Sequence, residues 1–197
     1  MKNNGSALVI VAHPDDETIW MGGTILNYKN IKWTIFSLCR KNDIDRAPKF
    51  KRVCRYYGAK GIISDLEDEG IMSIKASLPK IENRILKEIK RKNFTYIFTH
   101  GYNGEYGHPR HKGAHQAVKK LVKNKKIVCD QLFFFAYQFN FRKIIINYPE
   151  KSVDLTSKLD HKELREKKNI IKDLYGFKQG SFENISCLPK ETFISYL

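Results

Sequence analysis

The stretch Ala7-Leu-Val-Ile-Val-Ala12, followed directly by His13-Pro-Asp-Asp-Glu17, decides the fold. Six consecutive apolar residues that end at a polar cluster are typical of a buried strand in a parallel sheet. The cluster places one imidazole and three carboxylates between this strand and the helix that follows. Because ligands of open α/β sheets bind at the carboxyl ends of the strands, this turn is a candidate functional site.

Apolar strands and amphipathic helices alternate along the rest of the chain. This alternation predicts βαβ units, and hence a single α/β domain over residues 1–197 with a mostly parallel, Rossmann-like sheet flanked by helices. The predicted strands are 7–12, 33–38, 61–64, 96–99 and 132–137, with 139–148 as a candidate edge strand. The predicted helices are 17–29, 48–57, 79–92, 112–123 and 162–175, and a loop-like tail follows the last one.

Two local features refine this prediction. A glycine-rich dinucleotide cradle is missing from the first turn, since Gly22 and Gly23 come two turns into the first helix and favour close packing against the sheet. Pro48 and Pro79 suit the first turn of a helix, where the missing N–H costs nothing.

Composition bounds the class of protein. The 197 residues are 42% hydrophobic, which is enough for a substantial core, and 36 basic against 21 acidic residues give a net charge of +15. Most of the basic residues are lysines on the outer faces of predicted helices. This pattern argues against nucleic acid as a partner, because base and phosphate recognition favours arginine. It leaves open an anionic substrate, peripheral contact with an anionic lipid surface, and a homo-oligomer.

Cysteines and the N-terminus carry little chemistry. The four cysteines are too far apart for a Cys-x-x-Cys motif, and Cys39, Cys54 and Cys129 lie in apolar surroundings typical of buried thiols. The first apolar run is too short for a signal peptide or a membrane span. We therefore expect a cytoplasmic location.

The first motif offers two metal ligands. One helical turn separates His13 from Asp16, so both side chains can converge on one point. Catalytic zinc sites use three protein ligands and keep a position open for water. Acidic residues here could instead cap the helix N-terminus, but a cap does not explain the histidine.

A second cluster follows the strand that ends at Thr99. The segment from His100 to His115 contains four of the six histidines, and its glycine-rich start leads from a strand end into a helix. His108 and His111 lie at the junction between loop and helix. Four histidines in sixteen residues, on a strand end that faces the Asp-Asp turn, favour a metal or acid–base site.

Together these segments resemble a known family. Ala12-His-Pro-Asp-Asp-Glu17 and Gly107-His-Pro-Arg-His111 are similar to the two signature motifs of the LmbE-like (PIG-L) zinc-dependent N-deacetylases, Ala-His-Pro-Asp-Asp-Glu and Gly-His-x-Asp-His. The first motif matches at every position. The second departs at Arg110, where the family has aspartate. The resemblance extends from residue 7 to about 180.

The resemblance implies a site and a reaction. It implies a zinc ion, or another divalent metal, bound by His13, Asp16 and His111. Asp15 would be the general base, and His108, in protonated form, would stabilise the oxyanion. The implied reaction removes an acetyl group from an N-acetylglucosamine-type sugar conjugate.

Several residues keep alternative roles. Arg110 would lower the pKa of His108 unless another acid such as Glu105 replaces the missing aspartate, or it would face outward and bind an acidic group of the substrate. Arg46 is a candidate for binding a substrate hydroxyl or phosphate. His115 is expected to face the core or support a ligand, and His100 to line the pocket.

Two other functions remain open at this stage. The same machinery could hydrolyse a non-sugar amide. A basic binding protein of the same fold that has lost catalysis is the alternative from a different class.

Overall fold

The computed structural model describes residues 2, 4–142, 145–148 and 153–196. In chain order its elements are β1 (Ser6–Val11), α1 (Asp16–Asn27), β2 (Lys32–Ser37), α2 (Arg46–Tyr56), β3 (Lys60–Ile63), α3 (Ile74–Glu88), β4 (Asn93–Thr99), α4 (Gly104–Gly107), α5 (Pro109–Lys123), β5 (Val128–Phe135), β6 (Gln138–Asn140), β7 (Ile145–Asn147), β8 (Leu155–Lys158), α6 (His161–Asn169), a π-helical turn (Ile170–Leu174), α7 (Phe182–Ile185) and β9 (Lys190–Ser195).

Seven strands form one sheet in the order β3-β2-β1-β4-β5-β9-β8. The first five in this order are parallel, and β9 pairs antiparallel with both β5 and β8. The predicted α/β class with a mostly parallel sheet is therefore confirmed. The strand order reverses between β1 and β4, and the crevice at such a reversal is where ligands bind in folds of this kind. Both histidine motifs follow these two strands.

The apolar run of β1 is buried on both faces, as its sequence predicts. Ala7, Val9 and Val11 pack with α1 and the C-terminal segment, whereas Leu8 and Ile10 pack with α3 and α5. All five residues are fully buried. This strand therefore fixes the position of the turn that begins at His13.

Three local predictions were wrong. The third helix begins at Ile74, where Ser73 caps it by accepting a hydrogen bond from the Ala76 N–H, so Pro79 lies inside the helix and not in its first turn. The 139–148 segment is not an edge strand of the main sheet but, in its described residues, the separate hairpin β6–β7; residues 143 and 144 lie outside the described part. The tail is not a loop throughout, since β9 joins the sheet.

Helix α1 is kinked at Met21, whose φ is −151°. The N–H groups of Gly23 and Thr24 donate to the buried carboxylate of Glu191, at 2.8 and 2.6 Å. Lys167, which is also fully buried, lies 2.8 Å from that carboxylate and balances its charge. Because the kink frees main-chain donors in the core, the buried ion pair from α6 and β9 satisfies them.

Gly22 and Gly23 allow close packing, but against α2 and the start of α6 and not against the sheet. A Cβ on Gly22 would lie 2.8 Å from the Tyr57 hydroxyl, and one on Gly23 would overlap a methyl group of Leu159. None of the helices in the described part of the chain is long and apolar enough to cross a lipid bilayer.

We expect Gly23→Ala to destabilise the fold by about 1–3 kcal/mol, because the added methyl group overlaps the Leu159 side chain. Leu159→Ala removes that obstacle, so the same glycine substitution should cost less in the Leu159→Ala background. Urea unfolding of the two single variants and the double variant measures this coupling. Strictly additive free energies of unfolding would contradict the packing described here.

Candidate active site

The turn after β1 presents its carboxylates from a strained backbone. Asp15 has a φ of 109°, a conformation that is costly for a residue other than glycine. Its carbonyl accepts hydrogen bonds from the N–H groups of Thr18 and Ile19, which starts α1, and its own N–H donates to Glu17 at 3.2 Å. These contacts hold the turn in shape. As a result Asp15 and Asp16 face the crevice from different directions.

Three of the predicted residues bring one atom each to a common point. His13 Nδ1 lies 3.4 Å from Asp16 Oδ2 and 3.3 Å from His111 Nε2, and the last two atoms are 3.4 Å apart. The other oxygen of Asp16 accepts a hydrogen bond from the Trp20 indole at 3.0 Å. Ligand atoms on a tetrahedral zinc ion with bonds of about 2.0–2.1 Å are about 3.3–3.4 Å apart. The triangle therefore has the dimensions of one face of such a site.

The protonation of His111 suits a ligand. Its Nδ1 lies 2.6 Å from Glu105 Oε2, and a carboxylate can only accept, so Nδ1 carries the proton. Nε2 then presents its lone pair to the triangle. Burial raises the pKa of Glu105, but its contacts with His100 and His111 outweigh this and lower the pKa to about 2. Glu105 is therefore charged throughout the physiological range and fixes the orientation of the ring.

The triangle also favours a positive charge. Burial lowers the pKa of His13, whereas its contacts with Asp16 and Asp68 raise it, and the net result is a rise to about 10. For Asp16, burial raises the pKa but His111 and His100 lower it well below the usual range. A cluster that holds a proton this strongly is suited to a cation.

Two further histidines and a cysteine lie close by but are not placed or ionised to serve as metal ligands. His100 accepts the Ala12 N–H at Nε2, at 2.9 Å, and its Nδ1 faces Glu105 at 2.8 Å, so both ring nitrogens are occupied. His115 is buried with Nδ1 3.0 Å from the His100 carbonyl, which matches the expectation that it faces the core. Burial raises the pKa of Cys39 far above neutrality, so it remains a thiol.

His108 differs from the expectation of a charged imidazole. Burial, followed by the neighbouring His111 and His13, lowers its pKa to about 4, so the ring is neutral at pH 7. The Arg110 N–H donates to His108 Nδ1 at 3.2 Å. The proton of the neutral ring is therefore on Nε2. This nitrogen can still donate a hydrogen bond to a developing negative charge.

Asp15 and Arg46 form a pair at the cavity wall. Arg46 Nη1 lies 2.7 Å from Asp15 Oδ2, and the guanidinium stacks on Phe177 with 4.5 Å to the ring centroid. Burial and the neighbouring Asp16 raise the pKa of Asp15 well above its usual range, and Arg46 partly opposes this rise. A carboxylate with a raised pKa is suited to accept a proton near neutral pH.

Asp68 belongs to this site, although no sequence motif indicated it. Its Oδ2 lies 2.9 Å from His13 Nε2 and 2.9 Å from an Arg40 nitrogen, and Oδ1 lies 4.0 Å from His108 Nε2. The acidic run in the loop between β3 and α3 was the only signal. Nothing in that run shows which of its carboxylates would reach a strand two positions away in the sheet.

The expectation that Arg110 faces outward to bind substrate is wrong. Its side chain is 1% exposed, and its guanidinium donates to the main-chain carbonyls of Glu67 and Met72 and to the Glu67 carboxylate, each at 2.7 Å. The pKa of His108 is lowered, as expected, but the largest causes are burial and the neighbouring His111 and His13 and not Arg110. Arg110 instead anchors the loop that carries Asp68. Glu105 does not replace the missing aspartate either, since it contacts His100 and His111.

A cavity of about 310 Å³ opens beside the triangle. Its wall combines charged groups with the aromatic side chains of Trp20, Tyr106 and Phe182. Tyr106 packs edge-on against both His111 and Phe182, with centroid distances of 5.1 and 5.2 Å. His13, Asp15, Asp16 and Arg46 all line this cavity. A compact polar molecule could therefore reach the carboxylates and stack on aromatic rings at the same time.

A family model described as PIG-L: GlcNAc-PI de-N-acetylase matches residues 8–122. The chain belongs to this family. The resemblance inferred from the two histidine motifs is thereby confirmed. The chain is 26% identical over 151 residues to the uncharacterized protein L374 of Acanthamoeba polyphaga mimivirus. That match covers 68% of this chain and 62% of the relative, so the chain spans about three fifths of the relative's length.

Solved structures share the fold of this PIG-L family member at low identity. GalB, the 4-carboxy-2-hydroxymuconate hydratase from Pseudomonas putida KT2440, superposes with a TM-score of 0.67 at 14% identity, covering 98% of this chain and 96% of that one. The N,N'-diacetylchitobiose deacetylase from Pyrococcus horikoshii gives 0.64 at 14%, covering 96% and 83%. The A40926 pseudoaglycone deacetylase Dbv21 gives 0.61 at 16%, covering 86% and 81%. Since a hydratase is among them, the fold alone does not define the reaction.

We expect Arg110→Lys to destabilise the protein by about 2 kcal/mol, because an ammonium group cannot reproduce the fork that bonds two carbonyls and a carboxylate. Amide hydrogen exchange in the 67–72 loop should accelerate. Arg84→Lys is the matched control, since the half-buried Arg84 donates to the Asp65 carbonyl of the same loop. Equal effects of the two substitutions on unfolding would show that Arg110 does not anchor the loop.

Proposed function

We propose that this protein is a zinc-dependent hydrolase that removes the acetyl group from an N-acetylglucosamine-type sugar conjugate. The observation that carries the proposal is the triangle of His13 Nδ1, Asp16 Oδ2 and His111 Nε2, placed beside a carboxylate with a raised pKa. Membership in the PIG-L family supports the reaction class. Two of the solved structures that share the fold are named as deacetylases of acetylated compounds, which agrees with it.

His13, Asp16 and His111 would hold the metal. Zinc bound at such a site acts as a Lewis acid and brings the pKa of water down to roughly 7. The contacts behind the ligands fit this role, because Glu105 orients His111 and Asp68 lies against the remaining nitrogen of His13. Another divalent ion could use the same donors.

Asp15 would move the proton. Its carboxylate lies outside the triangle, so it is free to accept a proton from the attacking water and return it to the nitrogen of the departing amine. His108 Nε2–H would donate to the oxyanion that develops on the acetyl carbonyl. A neutral imidazole suffices for this hydrogen bond, so the missing aspartate beside His108 does not remove its function.

The cavity supports a small sugar as substrate. Arg46 would hold Asp15 with one nitrogen and bind a substrate hydroxyl or anionic group with the rest of its guanidinium. Tyr106 and Phe182 would pack against the sugar ring. The products would be acetate and a free amine.

We expect Asp15→Asn to retain about one zinc per chain and to lose acetate release by about 10²–10⁴-fold, because the amide keeps the shape of the side chain but cannot accept the proton. Asp45→Asn, at an exposed aspartate of the neighbouring loop, is the control. Zinc content and acetate release from a panel of N-acetylated sugars and non-sugar amides give both readouts. Full turnover by Asp15→Asn would remove the proposed mechanism, and turnover of non-sugar amides alone would replace the substrate class.

The pH profile offers a second test. Asp15 must be deprotonated to accept a proton, so kcat/KM falls as the pH drops through its pKa. Arg46 lowers that pKa, and its removal therefore raises it. We expect Arg46→Gln to shift the acid limb of the profile to higher pH, whereas Arg46→Lys, which keeps the charge, should shift it less. An acid limb that stays in place in Arg46→Gln would show that it does not report on Asp15.

A further inference from the structure

A second concave surface lies on the other side of α7. It is a groove of about 420 Å³ between α6, the π-helical turn and the segment that leads into α7. None of its eight described lining residues is acidic. All of them except Leu164 are polar: His161, Arg165, Lys168, Asn169, Lys172, Gln179 and Asn184.

Two of the three cationic side chains of the groove have no opposite charge within reach among the described residues. Arg165, Lys168 and Lys172 follow each other at spacings of three and four residues, which places them on one helix face. Within the described residues, Arg165 and Lys168 make no ion pair, and Lys172 contacts only the adjacent Asp173, at 3.3 Å. Like charges at these spacings repel each other. The fold therefore keeps an unfavourable cluster of positive charge in a concavity.

The acidic residues of the same helix are engaged elsewhere. Glu163 accepts the Asp160 N–H in the capping box of α6, and Glu166 accepts the Tyr56 hydroxyl at 2.9 Å. Neither lines the groove. The positive charge of the groove is thus not balanced from its own helix.

Asn184 adds a neutral hydrogen-bond donor to the groove. This residue is 7% exposed, and its side-chain amide lines the groove without a hydrogen bond to any described residue. Its N–H₂ group can donate to an anion that also contacts the three cations.

We propose that this groove binds a phosphate monoester, with Arg165, Lys168, Lys172 and Asn184 as its ligands. A dianion balances more of the charge than a carboxylate would, and the arginine fork matches phosphate geometry. The volume exceeds that of a bare ion and admits an organic substituent. Because Phe182 and Glu183 line the catalytic cavity and the next residue lines the groove, α7 separates the two sites.

Calorimetric titration with inorganic phosphate and with glucose 6-phosphate tests the groove directly. The Arg165→Ala/Lys168→Ala variant should weaken Kd for both probes by at least about tenfold, since each lost charge-assisted hydrogen bond is worth about a factor of ten. Lys123→Ala/Lys126→Ala is the matched control, because it removes the same charge from the exposed end of α5 and should bind as the native chain does. Asn184→Ser, checked for folding by its thermal melt, should also weaken binding.

Two results would overturn the proposal. One is the absence of saturable phosphate binding by the native protein at low ionic strength. The other is an equal loss in the groove variant and the α5 control, which would mean that net charge alone attracts the anion.

Kinetic measurements distinguish a phosphate group on the substrate from a separate phosphate ester. This experiment rests on the proposed deacetylation. If the phosphate belongs to the substrate, the groove variant raises KM for a phosphorylated N-acetylated sugar and leaves KM for the unphosphorylated sugar unchanged. If a separate phosphate ester binds, both KM values stay as in the control while phosphate binding is lost. Intact phosphate binding in a protein that releases no acetate would uphold the groove and reject the proposed function.

Discussion

The buried carboxylate of Glu105 is the contact on which the geometry of the site depends. One of its oxygens lies 2.8 Å from His100 Nδ1 and 2.6 Å from His111 Nδ1, and the other accepts the Gly101 N–H at 2.7 Å. With both Nδ1 protons held by one acceptor, each Nε2 lone pair has a fixed direction. That of His100 accepts the Ala12 N–H, and that of His111 faces the centre of the triangle that it forms with His13 and Asp16. A single side chain thus links the ends of β4 and β1.

This link is made at a cost in backbone energy. Glu105 has a φ of 56° and Asp15 a φ of 109°, and neither residue is a glycine. Such conformations persist only where surrounding contacts over-determine them, and they occur preferentially at functional sites. Around Asp15 the contacts come from Glu17, which also accepts the Tyr175 hydroxyl at 2.7 Å from the C-terminal segment. The last third of the chain therefore supports the turn after β1 that contains Asp15. This part of the chain lies outside the residues matched by the family model.

Strong local patterns made part of the structure predictable. The apolar run of β1, the alternation of strands and helices and the two histidine motifs were sufficient for the parallel part of the sheet and for the residues of the triangle. The antiparallel strand β9 was not predicted, because a short strand held by pairing with β5 and β8 has little periodicity of its own. Asp68 was missed for a different reason. The position of Asp68 depends on how its loop is anchored. The anchor is Arg110, 42 residues further along the chain.

Arg110 also explains how the site accommodates a basic residue at the motif position where the family has aspartate. An aspartate in place of Arg110 would lie two residues from His108 in the sequence, whereas the arginine side chain bonds Glu67 and Met72. The loop fixed by these bonds carries Asp68, whose two oxygens face His13 and His108. A carboxylate is therefore present near both rings, but it comes from the β3–α3 loop instead of α5. Since Arg110 and His111 are adjacent residues of α5, the helix that carries one corner of the triangle also fixes the loop that places Asp68 beside His13.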